Sequence, residues 1–223
     1  MMKGNKLVLA IPKGRIFREA TPLLKAVGIE PEAEFDDPES RKLSFTTNKY
    51  GLNIIRVRSF DVATFVALGG AQLGFVGSDV LMEFDYQEIY APLDLEIGKC
   101  RLIVAQTKET LEIDSPSRSS SMTVATKYPE VTKRYFAERG VQAECIKLNG
   151  AMELAPALNL SRRIVDLVDT GKTLAVNGLK EIEQIADVSS RLIVNRAALK
   201  TRPKLIGGWI KSFTEVVNGQ KVK

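Results

Sequence analysis

Glu153-Leu-Ala-Pro-Ala-Leu-Asn-Leu-Ser-Arg-Arg-Ile-Val-Asp-Leu-Val-Asp-Thr-Gly-Lys-Thr-Leu174 is the stretch whose reading decides the rest of the chain. Within it, Arg163–Val168 is apolar and rich in β-branched residues, which predicts a short buried strand. The strand runs directly into Asp169-Thr170-Gly171-Lys172-Thr173, and Thr173–Val176 can open a helix. A strand, a small-residue loop and a helix start together make a phosphate cradle. Backbone N–H groups point into the loop, hydroxyls add donors and the helix dipole favours an anion. Asp166 and Asp169 flank the cradle, and carboxylates repel phosphate, so sugar hydroxyls or a ligand-borne metal suit them better. A ribose 5-phosphate would satisfy both halves. The alternative is an ordinary turn, with Asp for an Asx-turn and Gly for a positive φ. The spacing is not that of a Walker loop, and Gly-x-Gly-x-x-Gly is absent from the chain.

Outward from this stretch, composition limits the chemistry. A chain of 223 residues, 44% hydrophobic and 26% charged, has the balance of a soluble globular protein with a real core. The net charge of +5 is spread along the chain. It suits small anionic ligands better than nucleic acid, because no long basic run appears and aromatics make up only 7%. Cys100 and Cys145 lie far apart, without zinc-site spacing, and read as buried free thiols of a reducing cytoplasm. No apolar run approaches membrane-spanning length, and the few apolar residues before Pro12 are too short for a signal peptide. There is no histidine. That removes the commonest general base and metal ligand, and excludes Ser-His-Asp and Cys-His mechanisms within this chain.

The pattern along the chain is that of an α/β protein. Leu7–Ile11 reads as a strand ended by Pro12, followed by Lys13-Gly14-Arg15 and a helical pattern up to Gly28. Two cations at a strand-to-helix junction oppose the helix dipole, which favours a ligand role for Lys13 and Arg15. Residues 30–40 are acidic and loop-like. Arg41 can pair with them or project towards an anionic ligand. Strands are expected at Leu43–Phe45 and Leu52–Arg58, then a helix capped by Asp61, a strand at Leu73–Gly77 and a helix capped by Ser78-Asp79, all on a largely parallel sheet. A new register begins near Pro92. It holds strands at Cys100–Ala105 and Met122–Thr126, a polar loop at Ser115–Ser121, and a helix from Pro129 to Arg139. After the phosphate loop come an acidic helix over Lys180–Ile185, a strand over Ser189–Val194, and an amphipathic helix over Ile206–Val217. That last helix closes the first domain or forms an oligomer contact.

Taken together, several segments resemble one family. They are Pro12-Lys13-Gly14-Arg15, Asp37-Pro38-Glu39-Ser40-Arg41-Lys42-Leu43, Gly77-Ser78-Asp79-Val80-Leu81 and Ala125-Thr126-Lys127-Tyr128-Pro129. Above all they are Asn149-Gly150-Ala151-Met152-Glu153-Leu154-Ala155-Pro156 and Asp166–Leu174. The chain resembles ATP phosphoribosyltransferase, the first enzyme of histidine biosynthesis, over essentially its whole length. Asn159 stands where the family pattern has Gly, and Ala63 where Pro is usual. The length resembles the short form, a catalytic subunit without the C-terminal histidine-sensing domain.

The resemblance implies a two-lobed α/β fold of the periplasmic-binding-protein type (type II), with the active site in the interdomain cleft. Domain I is then residues 1–92 plus 183–223, and domain II is residues 93–182. It implies attack of adenine N1 of ATP on C1 of 5-phosphoribosyl 1-pyrophosphate, with release of pyrophosphate. Such a reaction needs positioning and electrostatic stabilisation rather than a strong base. By resemblance, Lys13, Arg15 and Arg41 face the pyrophosphate and triphosphate, beside Gly14. Asp169, Thr170, Gly171, Lys172 and Thr173 match the sugar-phosphate loop, with Glu153, Asp166 and Asp169 as candidates for ribose hydroxyl contacts. Glu153 has local capping or pairing as its alternative. Mg²⁺ is expected to arrive with the pyrophosphate, keeping its waters, with no dedicated protein metal site. The implied partner is a regulatory subunit akin to histidyl-tRNA synthetase, in a hetero-octamer, in the cytoplasm. A solute-binding module without catalysis is the alternative from another class. A ligand-sensing DNA-binding protein is disfavoured, since the chain begins with a strand rather than a helix-turn-helix.

Overall fold

A computed structural model describes residues 6–37, 39–107 and 121–221, apart from the side chains of residues 220 and 221. Among these residues the chain forms two compact units. One contains the chain up to Leu81, Asp85–Gly98 and Ser189 onward; the other contains Met82–Phe84 and Lys99–Val188. The crossings fall at Gly98/Lys99 and Val188/Ser189 rather than at 92/93 and 182/183. The strand through Pro92, Ile89–Asp94, hydrogen-bonds in the first unit's sheet, and residues 183–188 finish a strand of the second. Of the expected polar loop at 115–121, only Ser121 lies among the described residues, and it opens a strand.

The first unit is built on β1 (Leu7–Pro12), whose apolar run is buried on both faces as a central strand must be. β1 pairs in parallel with β3 (Leu52–Val57) and β4 (Leu73–Gly77). β2 (Ser44–Thr46), β5 (Ile89–Asp94) and β11 (Ser190–Asn195) join antiparallel, giving the order β2-β3-β1-β4-β11-β5. The sheet is therefore mixed, not largely parallel: β1, β3 and β4 pair in parallel through helical crossovers, while β11 enters antiparallel between β4 and β5 and β2 antiparallel beside β3. Those crossovers include α1 (Arg15–Ala26), burying Ala20, Leu23 and Leu24, and α2 (Ser59–Ala67). Asp61 lies inside the first turn of α2 and does not cap it, since the helix begins earlier, after Arg58. Likewise α3 (Ser78–Phe84) has Gly77 at its N-cap and Asp79 buried in its first turn.

After β11 the chain turns through α7 (Arg196–Thr201) into α8 (Pro203–Lys221). α8 lays Ile206, Phe213 and Val217 into the same core as Leu9, Ile11 and Phe75, with Phe213 edge-on to Phe75 at 5.3 Å between centroids. Burying Phe213 alone is worth about 1.5–3 kcal/mol, so this face closes its own unit.

The second unit's sheet runs β10-β6-β9-β7-β8. β9 (Arg163–Val168) lies between β6 (Cys100–Thr107), antiparallel, and β7 (Ser121–Thr126), parallel, which pairs in parallel with β8 (Gln142–Lys147). α4 (Pro129–Ala137) covers it with Val131, Thr132, Tyr135 and Phe136. The expected acidic helix over Lys180–Ile185 is instead part of β10 (Leu179–Val188), antiparallel to β6. Register shifts at Glu181/Glu183 and Gln184/Ala186 each break the two-residue alternation, which hides the strand from a periodicity reading. Both cysteines are half-buried rather than buried, and burial pushes the Cys145 thiol up. Among the described residues no helix is long and apolar enough to cross a membrane.

Candidate active site

The loop at the end of β9 is anchored from both sides. Val168, the last residue of β9, and Leu174, inside α6 (Lys172–Val176), are both buried in one cluster with Ile103, Ala105 and Ile164. Between those anchors, Asp169, Thr170, Lys172 and Thr173 are exposed. Gly171 takes φ 75 at the N-cap of α6, a left-handed conformation that strains any residue with a Cβ. It offers no side-chain cap, and the first-turn N–H groups have no carbonyl one turn back within the helix. α6 is a single short turn of five residues, so its dipole is slight and the loop's N–H groups and hydroxyls are what an anion meets.

Two further features hold this loop. The buried Thr126 hydroxyl donates to the Val165 carbonyl at 2.9 Å and accepts from the Tyr128 N–H at 2.9 Å, fastening β7 to β9. Glu153 stands before α5 (Leu154–Ala157) and makes no side-chain capping bond. Its neighbours Met152 and Ala155 are buried in the cluster that anchors the loop, so Glu153 and the loop share one apolar base. The turn that follows α5 needs a left-handed residue, and Asn159 supplies it at φ 55. Asn is the side-chain-bearing residue that visits this conformation most readily, along with Asp, so the bend survives without glycine. Asp166 folds onto its own strand, its carboxylate accepting the Leu167 N–H at 2.8 Å.

The first unit contributes cations. The Lys13 N–H donates to the Val57 carbonyl at 2.9 Å, which fixes the chain where it leaves β1. Gly14 follows at φ 92 as the N-cap of α1, and Arg15 begins the helix. The Arg15 guanidinium donates to the Gly98 carbonyl at 2.9 Å and lies 3.7 Å from Glu19. Glu19 in turn accepts the Gly98 N–H at 2.6 Å. In the acidic segment it is Lys42 that pairs, with Glu32 at 2.8 Å and Glu34 at 3.5 Å, while the Ser40 hydroxyl donates to Glu34. The hydrogen bond from Lys42 holds Glu32 below the usual carboxylate range and raises Lys42 in return. Arg41 is exposed and makes no ion pair among the described residues. Lys13, Gly14, Arg15 and Arg41 therefore lie in one unit, and Glu153, Asp166 and Asp169–Thr173 in the other.

The family model described as ATP phosphoribosyltransferase matches residues 58–215. A curated ATP phosphoribosyltransferase from Paramagnetospirillum magneticum is 65% identical over 98% of this chain and 100% of its own length. One from Rhodospirillum rubrum is 62% identical over 95% of this chain and 93% of its own. Among solved structures, the ATP phosphoribosyl transferase (HisG:HisZ) complex from Thermotoga maritima matches with a TM-score of 0.79 and 30% identity, covering 96% of this chain and 99% of that one. The periplasmic aliphatic sulphonate binding protein SsuA from Escherichia coli matches with a TM-score of 0.55 and 14% identity, over 98% of this chain and 71% of that one. That second likeness concerns the fold alone, which is the two-lobed α/β architecture of periplasmic binding proteins of type II. With the family model spanning most of the chain and relatives of this identity matched nearly end to end, the chain belongs to the ATP phosphoribosyltransferase family.

Proposed function

We propose that this chain catalyses the first step of histidine biosynthesis, joining adenine N1 of ATP to C1 of 5-phosphoribosyl 1-pyrophosphate. The N1–C1 bond forms as the C1–O bond to pyrophosphate breaks, and the bonding pair leaves on the pyrophosphate oxygen. The ring nitrogen carries its own lone pair, so the step needs no strong base, in keeping with a chain that has no histidine. What carries this reading is the doubly anchored Asp169–Thr173 loop in a member of this family, its donors projecting from an apolar base.

In this mechanism the N–H groups and hydroxyls of Thr170–Thr173, with Lys172, hold the 5-phosphate, and Glu153, Asp166 and Asp169 bind the ribose hydroxyls. Lys13, Arg15 and Arg41, beside the open backbone of Gly14, neutralise the charge that grows on the departing pyrophosphate and bind the triphosphate. Mg²⁺ enters as part of the sugar substrate. The exposed carboxylate of Asp169 beside the loop is the kind of oxygen ligand such an ion takes, with its remaining ligands from phosphate and water. The partner we assign is a regulatory subunit akin to histidyl-tRNA synthetase, in a hetero-oligomer, and the compartment is the cytoplasm. The solved HisG:HisZ complex from Thermotoga maritima supports that partner.

The test is pyrophosphate release with ATP, phosphoribosyl pyrophosphate and Mg²⁺, following near-ultraviolet absorbance for the modified adenine. Release that requires both substrates, from the chain alone or with its synthetase-like partner, is the expected result. Silence in both preparations would leave a two-lobed binding module in its place.

A further inference from the structure

Arg56 is a cation inside a core. It lies on β3 in phase with Leu52 and Ile54, turned to the buried face, and is 8% exposed. A guanidinium in such a place is expensive unless it is paired. Among the described residues it meets no carboxylate; its partners are backbone carbonyls and aromatic faces. One terminal nitrogen donates to the Phe35 carbonyl at 3.0 Å and the other to the Ser40 carbonyl at 3.2 Å. The rings of Phe45 and Phe17 lie 5.0 and 5.7 Å from the guanidinium carbon, and Phe35 packs against both. Its Nε is buried with no hydrogen-bond partner, which adds to the cost.

That cost argues against packing as the reason for the residue. A Met would fill similar space without a buried charge, and such replacements are often neutral or stabilising. The bonds show what the charge achieves. The Arg56 backbone N–H donates to the Leu43 carbonyl at 2.8 Å, while its side chain holds the Ser40 carbonyl. One residue thus fastens both ends of Ser40–Leu43, the stretch that carries Arg41. Phe17, one wall of the box, belongs to the first turn of α1 with Arg15.

We propose that Arg56 is a positioning residue for the transferase reaction, fixing Arg41 at a set place relative to Arg15. The proposal rests on the reading of Arg41 as a contact to the substrate phosphates. Arg is required rather than Lys because two carbonyls at separate points need a planar fork, not a single ammonium.

A double-mutant cycle on kcat tests it, using the preparation in which the reaction is measured. Arg41→Ala should lower turnover about a hundredfold and Arg56→Met about tenfold. The double variant should fall within about twofold of Arg41→Ala, since a residue that acts only through Arg41 has nothing left to position. Losses that multiply to about a thousandfold would overturn the proposal, as would an Arg56→Met enzyme within about twofold of the parent. Should Arg56→Met fail to fold, Arg56→Lys, which keeps the charge and stem but not the fork, takes its place with the same expectations. If Arg41→Ala itself turns over normally, the reading of Arg41 fails and the positioning role falls with it. If Arg41→Ala is crippled and the Arg56 variant is not, only the positioning role fails.

Discussion

The Asp169–Thr173 loop and the cationic arm, the segments that carry Arg15 and Arg41, solve the same problem, holding polar groups still, by opposite means. In the second unit, Asp169–Thr173 presents backbone donors and is fixed by apolar anchors, Val168 and Leu174 on either side. In the first, Arg15 and Arg41 present side chains and are held by polar ties, to Gly98, Glu19 and the backbone grip of Arg56. A backbone cradle keeps its geometry as long as its strand stays packed. A long cation has many rotamers and needs a dedicated tie for each part of the chain that carries it.

The contrast can be broken most sharply at Arg15. Its replacement by Ala should remove about 2–4 kcal/mol of transition-state stabilisation with the fold intact, the scale of one lost oxyanion donor. A turnover number unchanged in Arg15→Ala would show that the arm does not meet the developing charge. The converse break is Leu174→Ala. Removing this anchor should cost about 2–3 kcal/mol of stability by leaving a cavity, and should raise KM for the sugar substrate more than it lowers kcat. Urea titration and steady-state kinetics would check both halves; a looser fold with an unaltered KM would mean the loop does not depend on its apolar base.

The smallest expected effect lies at the exposed Lys42–Glu32 tie. Glu32 is held below its ordinary value, so the tie's contribution is present above about pH 4.5 and is lost as pH falls through the lowered folded value. Lys42 is raised, so at the alkaline end the contribution is full below about 10.5 and is lost only as pH climbs through the raised folded value. Carboxyl carbon shifts of Glu32 followed by NMR should show a midpoint below that of a free glutamate. A midpoint at the ordinary value would mean that the pair does not hold the arm in solution.

This difference in means also explains what the sequence made legible. The loop could be read because its signal is contiguous: a β-branched run, small polar residues, one glycine and a helix start. The Lys13-Gly14-Arg15 junction was legible for the same reason. Arg56 was not, although its phase with Leu52 and Ile54 marks it as an inward charge, because its partners Phe35 and Ser40 lie far back in the chain. The pairing of Lys42 with Glu32 and Glu34, leaving Arg41 exposed, is likewise a tertiary choice between adjacent cations. Misreadings have local causes too. Register shifts disguised β10 as a helix, and a helix that begins one turn early made a first-turn residue of Asp61, the expected cap.

The grip of Arg56 has one more consequence, for how this protein should answer to ionic strength. Dissolved ions screen exposed charges within about 8–10 Å at physiological salt, and would loosen the Lys42 pairs and the attraction between the arm and a polyanionic substrate. They reach a buried guanidinium far less, and here its partners are carbonyl dipoles and ring faces rather than an acid that a counter-ion could replace. Concentrated salt should therefore weaken the encounter with substrate and the exposed ion pairs, while the Arg56 grip on Ser40 and Leu43 holds.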